Sequence, residues 1–241
     1  MTQELSRTFG QQVVTPEERR ARVRRVFTAV APRYDLMNDL MSMGIHRLWK
    51  RTFARMAAPR DGQVIVDVAG GTGDVARLLA GPARRVYVCD PSLPMMAAGR
   101  QRGDGGIEWL AGEAEHIPLA DASVDTVTIA FGIRNATHLD RALAEMARVL
   151  KPGGRLLCLE FSRPALLLRP FYTAFSYTAI PALGAIVARN PEAYVYLVES
   201  IRRFPPQDAF KAMFEAAGLT DVRYRNLSFG IACIHEGTKT G

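Results

Sequence analysis

The stretch 64–74 joins a short apolar strand, an acid and a glycine-rich turn, and it constrains the fold more than any other part of the chain. Asp67 lies near the end of the apolar run, Gly71 and Gly73 follow it, and a second apolar run closes on Asp90. Glycine lets the backbone approach a bound molecule, and parallel strands gather their carboxyl-end acids at one edge of a sheet. The pattern therefore predicts a parallel sheet with a nucleotide-like ligand at that edge.

Strand and helix patterns alternate after residue 60, which is the arrangement of a parallel α/β sheet. Strands are predicted at 64–69, 86–90, 107–111, 126–130 and 155–161, and helices at 74–80, 93–102 and 139–150. Two helices, 17–30 and 35–56, precede them, and helix 206–217 and strands 220–226 and 230–236 follow. A short turn joins the last two strands, so they must pair antiparallel.

We divide the chain into an N-terminal arm and helical cap, 1–60, and a sheet domain, 61–241. Residues 1–15 are predicted to be a flexible arm. Residues 164–205 interrupt the alternation and are rich in apolar and aromatic side chains. Their segment 170–188 has about the length of a membrane span, roughly 20 residues, but it contains prolines and hydroxyl side chains. No second hydrophobic segment accompanies it in the sequence, so an apolar lid is favoured over a membrane span.

The composition and the net charge limit which classes of molecule the chain could bind. The chain has 241 residues, 48% of them hydrophobic, and a formal net charge of +7, which favours nucleic acid or an anionic membrane surface. Aromatic side chains do not interleave with the basic residues, so we expect no nucleic-acid partner. The arginine run between 19 and 25 is expected to form the solvated face of a helix. The cysteines lack metal spacing and the N-terminus is polar, which predicts a cytoplasmic protein with reduced thiols.

The glycine loop leaves two cofactors open. Residues 71–76 match the pattern of dinucleotide-binding proteins, so a nicotinamide cofactor is not excluded. Other features favour S-adenosylmethionine. Asp67 faces the loop, where a carboxylate suits a ligand with an ammonium and a sulfonium group, and Glu113 with Ala114 follows the third strand, where the two would bracket an adenine. The antiparallel ending of the sheet resembles class I methyltransferases, in which the last strand is reversed.

The other predicted cofactor contacts lie close to the first two strands. Asp90 would accept hydrogen bonds from both ribose hydroxyls, because a charged acceptor makes such bonds strong. Thr72, between Gly71 and Gly73, would touch the methionine carboxylate or the ribose. Asp74 is expected to be a helix N-cap rather than a ligand contact. Thr137 with Asp140 resembles a capping box at the start of the predicted helix 139–150.

Five sequence blocks carry a resemblance to a known enzyme family. They are 34–50, YDLMNDLMSMGIHRLWK; 67–74, in the glycine loop; 131–135, FGIRN; 148–154, RVLKPGG, with 160–164, EFSRP; and 194–201, YVYLVESI, with 230–237, GIACIHEG. Across nearly its whole length the chain resembles the ubiquinone/menaquinone biosynthesis C-methyltransferases. The resemblance implies a class I methyltransferase fold: a Rossmann-like seven-stranded sheet with an antiparallel last strand, N-terminal helices and an apolar helical insertion.

The same resemblance implies transfer of a methyl group from S-adenosylmethionine to a ring carbon of a polyprenylated quinol. We expect demethylmenaquinol as the substrate, and 2-polyprenyl-6-methoxy-1,4-benzoquinol of ubiquinone biosynthesis as the alternative. A non-catalytic assembly subunit of a quinone-synthesis complex is an alternative of another class. Glu113 departs from the Asp or Asn of many methyltransferases, and Ala130 from the Ser of some relatives. The quinol implies peripheral contact with the inner face of the cytoplasmic membrane, and a homodimer is a further expectation.

Arg134 and Asn135 follow the fourth strand, where the carboxyl-end position favours a functional role. A phenol has a pKa of about 10, so the site must stabilise the phenolate before the ring carbon becomes nucleophilic. Arg134 stays protonated and would stabilise the oxyanion or orient a water, while Asn135 would hold the ring oxygen. The alternative is a structural turn with Arg134 in a salt bridge. Tyr34 would donate to the substrate oxygen or merely pack, and the chemistry requires no metal.

Overall fold

The computed structural model describes residues 7–9, 12–30, 38–39, 42–103, 105–165 and 191–241. Tyr34 and segment 166–190, which makes up most of the predicted lid, lie outside the described residues. The described part forms a seven-stranded sheet with helices on both faces. None of its helices combines the length and the hydropathy that crossing a bilayer requires.

Every strand predicted from the sequence is present. The strands are β1 (Val64–Val68), β2 (Arg85–Asp90), β3 (Ile107–Ala111), β4 (Val124–Ala130), β5 (Leu150–Phe161), β6 (Leu219–Leu227) and β7 (Ala232–Lys239). The helices are α1 (Pro16–Val30), α2 (Ile45–Ala57), α3 (Asp74–Leu79), α4 (Leu93–Arg100), α5 (Leu139–Val149), α6 (Pro191–Arg203) and α7 (Gln207–Ala216). Single turns of 3₁₀ helix cover Ile133–Asn135 and Ser228–Gly230.

The strand order places three loops at one point. The order is β3-β2-β1-β4-β5-β7-β6, in which β1 to β5 run parallel and β7 is antiparallel to both of its neighbours. The chain direction across the sheet reverses between β1 and β4, and open parallel sheets bind their ligands at such a point. The loops that follow β1, β2 and β4 therefore meet at one edge of the sheet.

Apolar side chains cover both faces of the sheet, because successive residues of a strand point to opposite sides. On one face, α5 and α7 contribute Met146 and Phe210 to a large buried cluster. On the other face, α2 and α3 contribute Phe53 and Leu79 to a second cluster. The sheet is thus the middle of three layers, and the two buried clusters fix the positions of the strand ends that form the site.

Two predictions for the N-terminal part are wrong. The predicted helix 35–56 is broken, because Met43 and Gly44 have φ angles of 50° and 74°, which a continuous right-handed helix does not contain. Helix α2 starts only after this turn. The predicted flexible arm is ordered in part, since Thr8–Phe9 pairs with Gln12–Val13 to form an N-terminal ribbon, and Val14 is buried.

Two predicted helix caps are also wrong. Gly73, with a φ of 79°, is the N-cap of α3, so Asp74 is the first helical residue rather than the cap. The Asp74 carboxylate instead accepts a hydrogen bond from the Lys50 ammonium at 3.0 Å. The predicted capping box at 137–140 does not form, because His138 is the N-cap of α5 and no side chain caps it. The Thr137 hydroxyl is therefore not used by the helix.

Candidate functional site

The glycine turn after β1 is held by the acid that ends β2. Asp90 accepts a hydrogen bond from the Gly71 N–H at 2.8 Å and another from the Ser92 N–H at 2.7 Å. Burial raises the pKa of Asp90, and the two N–H donors oppose that rise. A Cβ on Gly71 would lie 3.1 Å from Met95 Cε, and the φ of Gly71 is +55°, so the turn suits glycine. The carboxylate and the bare backbone together form one wall of a cleft.

Asp67 lies behind the glycine turn rather than in its mouth. Its Oδ1 accepts a hydrogen bond from the Thr128 hydroxyl at 2.8 Å, and its Oδ2 would lie 2.8 Å from a Cβ on Gly70. Burial raises the pKa of Asp67 to about 7, against the lowering effects of the Thr128 hydrogen bond and the Lys50 charge. Asp67 is thus a fully buried carboxyl group that supports the loop.

The raised pKa of Asp67 predicts a pH dependence of stability. The folded chain keeps a proton on Asp67 between pH 3.8 and about 7, where the unfolded chain has lost it. The free energy of unfolding should therefore fall as the pH rises through this window, by on the order of 4 kcal/mol from this group alone. Asp67→Asn removes the titration, so denaturant unfolding measured from pH 4 to pH 7 should show a shallower fall than in the parent chain.

The control for this titration is Asp61→Asn. Asp61 is exposed and pairs with Arg84 at 3.5 Å, and loss of an exposed ion pair should change the free energy of unfolding only slightly. Equal slopes for Asp67→Asn and the parent chain would contradict a neutral buried Asp67 in the folded state.

A cleft opens above the sheet edge and helix α1 covers it. Its volume is about 840 Å³ including the open mouth. Gly71 and Asp90 form one side, and the Glu113–Glu115 segment after β3 forms another. Helix α1 contributes Arg24, whose guanidinium lies 3.4 Å from the Glu113 carboxylate. The arginine run is therefore not only a solvated helix face, because part of it lines this cleft.

Two buried hydroxyl groups in the cleft lining indicate whether the cleft is suited to a nucleoside cofactor. Ser92 and Thr137 both line the cleft and are 4% and 2% exposed, and their hydroxyl oxygens have no hydrogen-bond partner among the described residues. Buried polar atoms are normally paired, so each of these hydroxyls needs a partner, which a ligand bound in the cleft would supply. With the Asp90 and Glu113 carboxylates they supply the donors and acceptors that a ribose and an adenine need. The residues present fit the nucleoside of S-adenosylmethionine.

The structure brings some predicted site residues together and places others outside this cleft. Those that line it are Gly71, Asp90, Glu113, Ala114 and Asn135. Those outside its lining are Asp67, Thr72, Gly73 and Arg134. The Thr72 hydroxyl is 3.5 Å from Asp74, and a Cβ on Gly73 would lie 2.8 Å from the Trp109 ring. These two loop residues therefore contact the neighbouring helix and strand.

Arg134 is engaged by a buried carboxylate. Its guanidinium donates to Glu160 Oε1 at 2.9 Å and to the Phe131 carbonyl, and its charge lies 5.5 Å from the centre of the Phe161 ring. Burial raises the pKa of Glu160, whereas the Arg134 charge lowers it. Arg134 Nε has no hydrogen-bond partner in the part of the chain that the structure describes. The salt bridge considered from the sequence is present, and it ties the turn after β4 to the end of β5.

Sequence reasoning missed two residues that shape the site. Arg19 is 1% exposed and donates to the carbonyls of Arg134, Asn135 and Ala136 at 3.1, 2.8 and 2.9 Å. Tyr196 donates its hydroxyl to Asn135 Oδ1 at 2.9 Å. Arg19 lies within an arginine run, which hides it among exposed neighbours. Tyr196 lies in a recognised sequence block, and that block is the only signal that would have found it.

The sheet order, the reversed β7 and the cleft beside the glycine turn define the class I S-adenosylmethionine-dependent methyltransferases. A SAM-dependent methyltransferase from Thermotoga maritima shares the fold, with a TM-score of 0.67 and 22% identity. The match covers 90% of this chain and 100% of that chain. The chain belongs to the ubiE/COQ5 methyltransferase family, whose model matches residues 14–239.

Two relatives show what the family contains. Ubiquinone/menaquinone biosynthesis C-methyltransferase UbiE of Rubrivivax gelatinosus is 67% identical over 235 residues, which cover 98% of this chain and 94% of that protein. The mitochondrial 2-methoxy-6-polyprenyl-1,4-benzoquinol methylase of Danio rerio is 44% identical over 280 residues, which cover 99% and 86%. The protein is an S-adenosylmethionine-dependent C-methyltransferase of quinone biosynthesis, and the nicotinamide alternative is wrong.

Proposed function

We propose that the chain methylates a ring carbon of demethylmenaquinol and so forms menaquinol. Membership of the family supports a quinol acceptor. The observation that carries the placement is Asn135, which lines the same cleft as Gly71 and Asp90. A donor amide beside the cofactor cleft is suited to hold the oxygen of the ring that receives the methyl group.

The chain must make the acceptor ring nucleophilic. When bound, S-adenosylmethionine supplies an electrophilic methyl group on its sulfonium. The quinol hydroxyl has a pKa of about 10, so the site must stabilise its anion at neutral pH. We assign this task to the Asn135 amide, as a donor aimed at the oxyanion. Glu160 balances the charge of Arg134, so Arg134 holds the turn, and Tyr34, outside the described residues, stays a proposed second donor.

The predicted cofactor residues are assigned to two groups. The first, which lines the cleft, is Gly71, Asp90, Glu113 and Ala114; the second, which shapes the loop from behind, is Asp67, Thr72 and Gly73. We further propose that residues 1–60 cap the methyltransferase domain, 61–241. The support for this division is helix α1, which lies over the cleft and contributes Arg24 to its lining.

A benzoquinol is the second candidate substrate. The Danio rerio relative is named as a 2-methoxy-6-polyprenyl-1,4-benzoquinol methylase, and the same residues would serve either ring. We also propose that the insertion 164–205 receives the polyprenyl tail, since each buried CH₂ contributes about 0.8 kcal/mol. The polyprenyl tail of the substrate and the net charge of +7 support peripheral binding of the protein to the inner face of the cytoplasmic membrane. A homodimer stays a prediction.

Mass spectrometry of the host's quinone pool after deletion of the gene tests the substrate. Accumulated demethylmenaquinone is the expected result, and accumulated 2-polyprenyl-6-methoxy-1,4-benzoquinol would favour the second candidate. An unchanged pool would contradict both. Complementation with Asp90→Ala addresses the non-catalytic alternative, because a pure assembly subunit would still restore the pool and the proposed enzyme would not.

A further inference from the structure

The two ends of the Asn135 side-chain amide have different surroundings. Its Oδ1 accepts a hydrogen bond from the Tyr196 hydroxyl at 2.9 Å, and an amide oxygen can only accept hydrogen bonds. No described group accepts a hydrogen bond from its Nδ2. Asn135 is partly exposed in the cleft, so Nδ2 remains available there as a donor. The hydrogen bond from Tyr196, which does not line the cleft, therefore engages Oδ1 and leaves Nδ2 as the end of the amide without a partner among the described residues.

Tyr196 is held firmly enough to impose this orientation. It lies on α6, is 5% exposed, and its ring stacks on Phe9 at 4.6 Å between centroids and 14° between planes. Burial raises the pKa of Tyr196, so the hydroxyl keeps its proton and acts as a donor at neutral pH. The N-terminal ribbon and α6 thus fix a rigid donor beside the turn after β4.

The backbone of Asn135 is fixed as well. Its carbonyl accepts from Arg19 at 2.8 Å, and its N–H donates to the Gly132 carbonyl at 3.0 Å. With the main chain held on both sides, rotation of the terminal amide is the main freedom left to the side chain. A flip would present Oδ1 instead of Nδ2 to the cleft, and an oxygen lone pair repels a developing phenolate.

We propose that Tyr196 is a positioning residue for methyl transfer: its hydroxyl locks the Asn135 amide with Nδ2 toward the acceptor oxygen of the quinol. This inference rests on the proposed role of Asn135. It assigns a task to the 194–201 block, which the cofactor cleft alone leaves without one. The Tyr196 hydroxyl should therefore affect kcat rather than substrate binding, because it orients a donor and adds no contact to either substrate.

The test is the Tyr196→Phe variant, which keeps the ring stack and removes only the hydroxyl. We expect kcat to fall about tenfold, while KM for the quinol and Kd for S-adenosylhomocysteine stay within about twofold of the parent values. The matched control is Tyr224→Phe, because the Tyr224 hydroxyl donates to Asp208 at 2.9 Å on an exposed surface. Its kcat should equal that of the parent chain.

Coupling to Asn135 separates a positioning role from a structural one. In an Asn135→Ala background, Tyr196→Phe should lower kcat no further, because the amide that it orients is gone. An equal fall in both backgrounds would overturn the inference. Normal kcat in Asn135→Ala alone would instead overturn the proposed role of Asn135 and with it the inference, whereas failure of the parent chain to methylate demethylmenaquinol would overturn the proposed function. Normal kcat in Tyr196→Phe, with Asn135→Ala impaired, would overturn only the positioning role.

A measurement on the parent chain covers the case in which Tyr196→Phe does not fold. The side-chain amide resonance of Asn135 is assigned in the ¹⁵N–¹H NMR spectrum by its loss in Asn135→Ala. It should shift when the methylated quinol product is added together with S-adenosylhomocysteine. An amide resonance that stays in place at saturating product would contradict an Nδ2 donor that faces the acceptor.

Discussion

Glu160→Ala is expected to lower the free energy of unfolding by about 3–5 kcal/mol, the cost of removing one partner of a buried ion pair. The Glu160 and Arg134 side chains are 2% and 6% exposed. Loss of the carboxylate leaves a guanidinium that cannot give up its proton, with the Phe131 carbonyl as its remaining described acceptor. Denaturant unfolding of the parent chain and the variant at neutral pH measures the difference.

An exposed pair on the same sheet serves as the control. Arg85 and Glu108 form an ion pair at 2.6 Å, but their side chains are 61% and 46% exposed. Glu108→Ala should therefore change the free energy of unfolding by less than about 1 kcal/mol. If Glu160→Ala is no more destabilising than Glu108→Ala, the buried pair does not anchor the turn after β4, and the placement of Asn135 loses its support.

Asp90→Ala is expected to raise the Kd for S-adenosylhomocysteine by about 100-fold or more. The variant loses a charged acceptor for the ribose and leaves the N–H groups of Gly71 and Ser92 without their acceptor. The glycine turn then loses the hydrogen bond that ties it to the end of β2. Isothermal titration calorimetry measures the Kd, and circular dichroism shows whether the variant is folded.

A second aspartate supplies the matched control for this titration. Asp125, at the opposite end of the sheet, accepts from the Val64 N–H at 2.8 Å and pairs with Lys151 at 2.9 Å. Asp125→Ala also removes an acid that anchors a strand, so it should reduce stability but leave the Kd within about twofold. An Asp90→Ala variant that is folded and binds within about fivefold of the parent chain would remove Asp90 from the cofactor site.

Local patterns were sufficient to predict most of the sheet. Strand β3 has the predicted bounds, 107–111, because a short apolar run flanked by glycines marks both of its ends. Strand β5 starts at Leu150 instead of residue 155, since Leu150 pairs with Val124 despite the Pro-Gly-Gly that follows. The predicted helix 35–56 failed because Met43 adopts a left-handed backbone that no local propensity indicates.

Local sequence patterns also predicted part of the cleft, whereas its other contacts depend on how distant segments of the chain pack together. Gly71, Asp90 and Asn135 were predicted to converge because each lies at or shortly after the carboxyl end of a parallel strand. The contacts that Arg19 and Tyr196 make with Asn135 join residues far apart in the chain. Such contacts depend on how the N-terminal ribbon and α6 pack against the turn after β4. Periodicity and spacing carry no information about that packing.

The most direct test of the central claim is a crystal structure of the chain grown with S-adenosylhomocysteine. We expect density for the nucleoside in the cleft beneath α1, with the ribose at Asp90 and the adenine between Glu113 and Thr137. Density for the nucleoside elsewhere on the chain, with this cleft empty, would contradict the account.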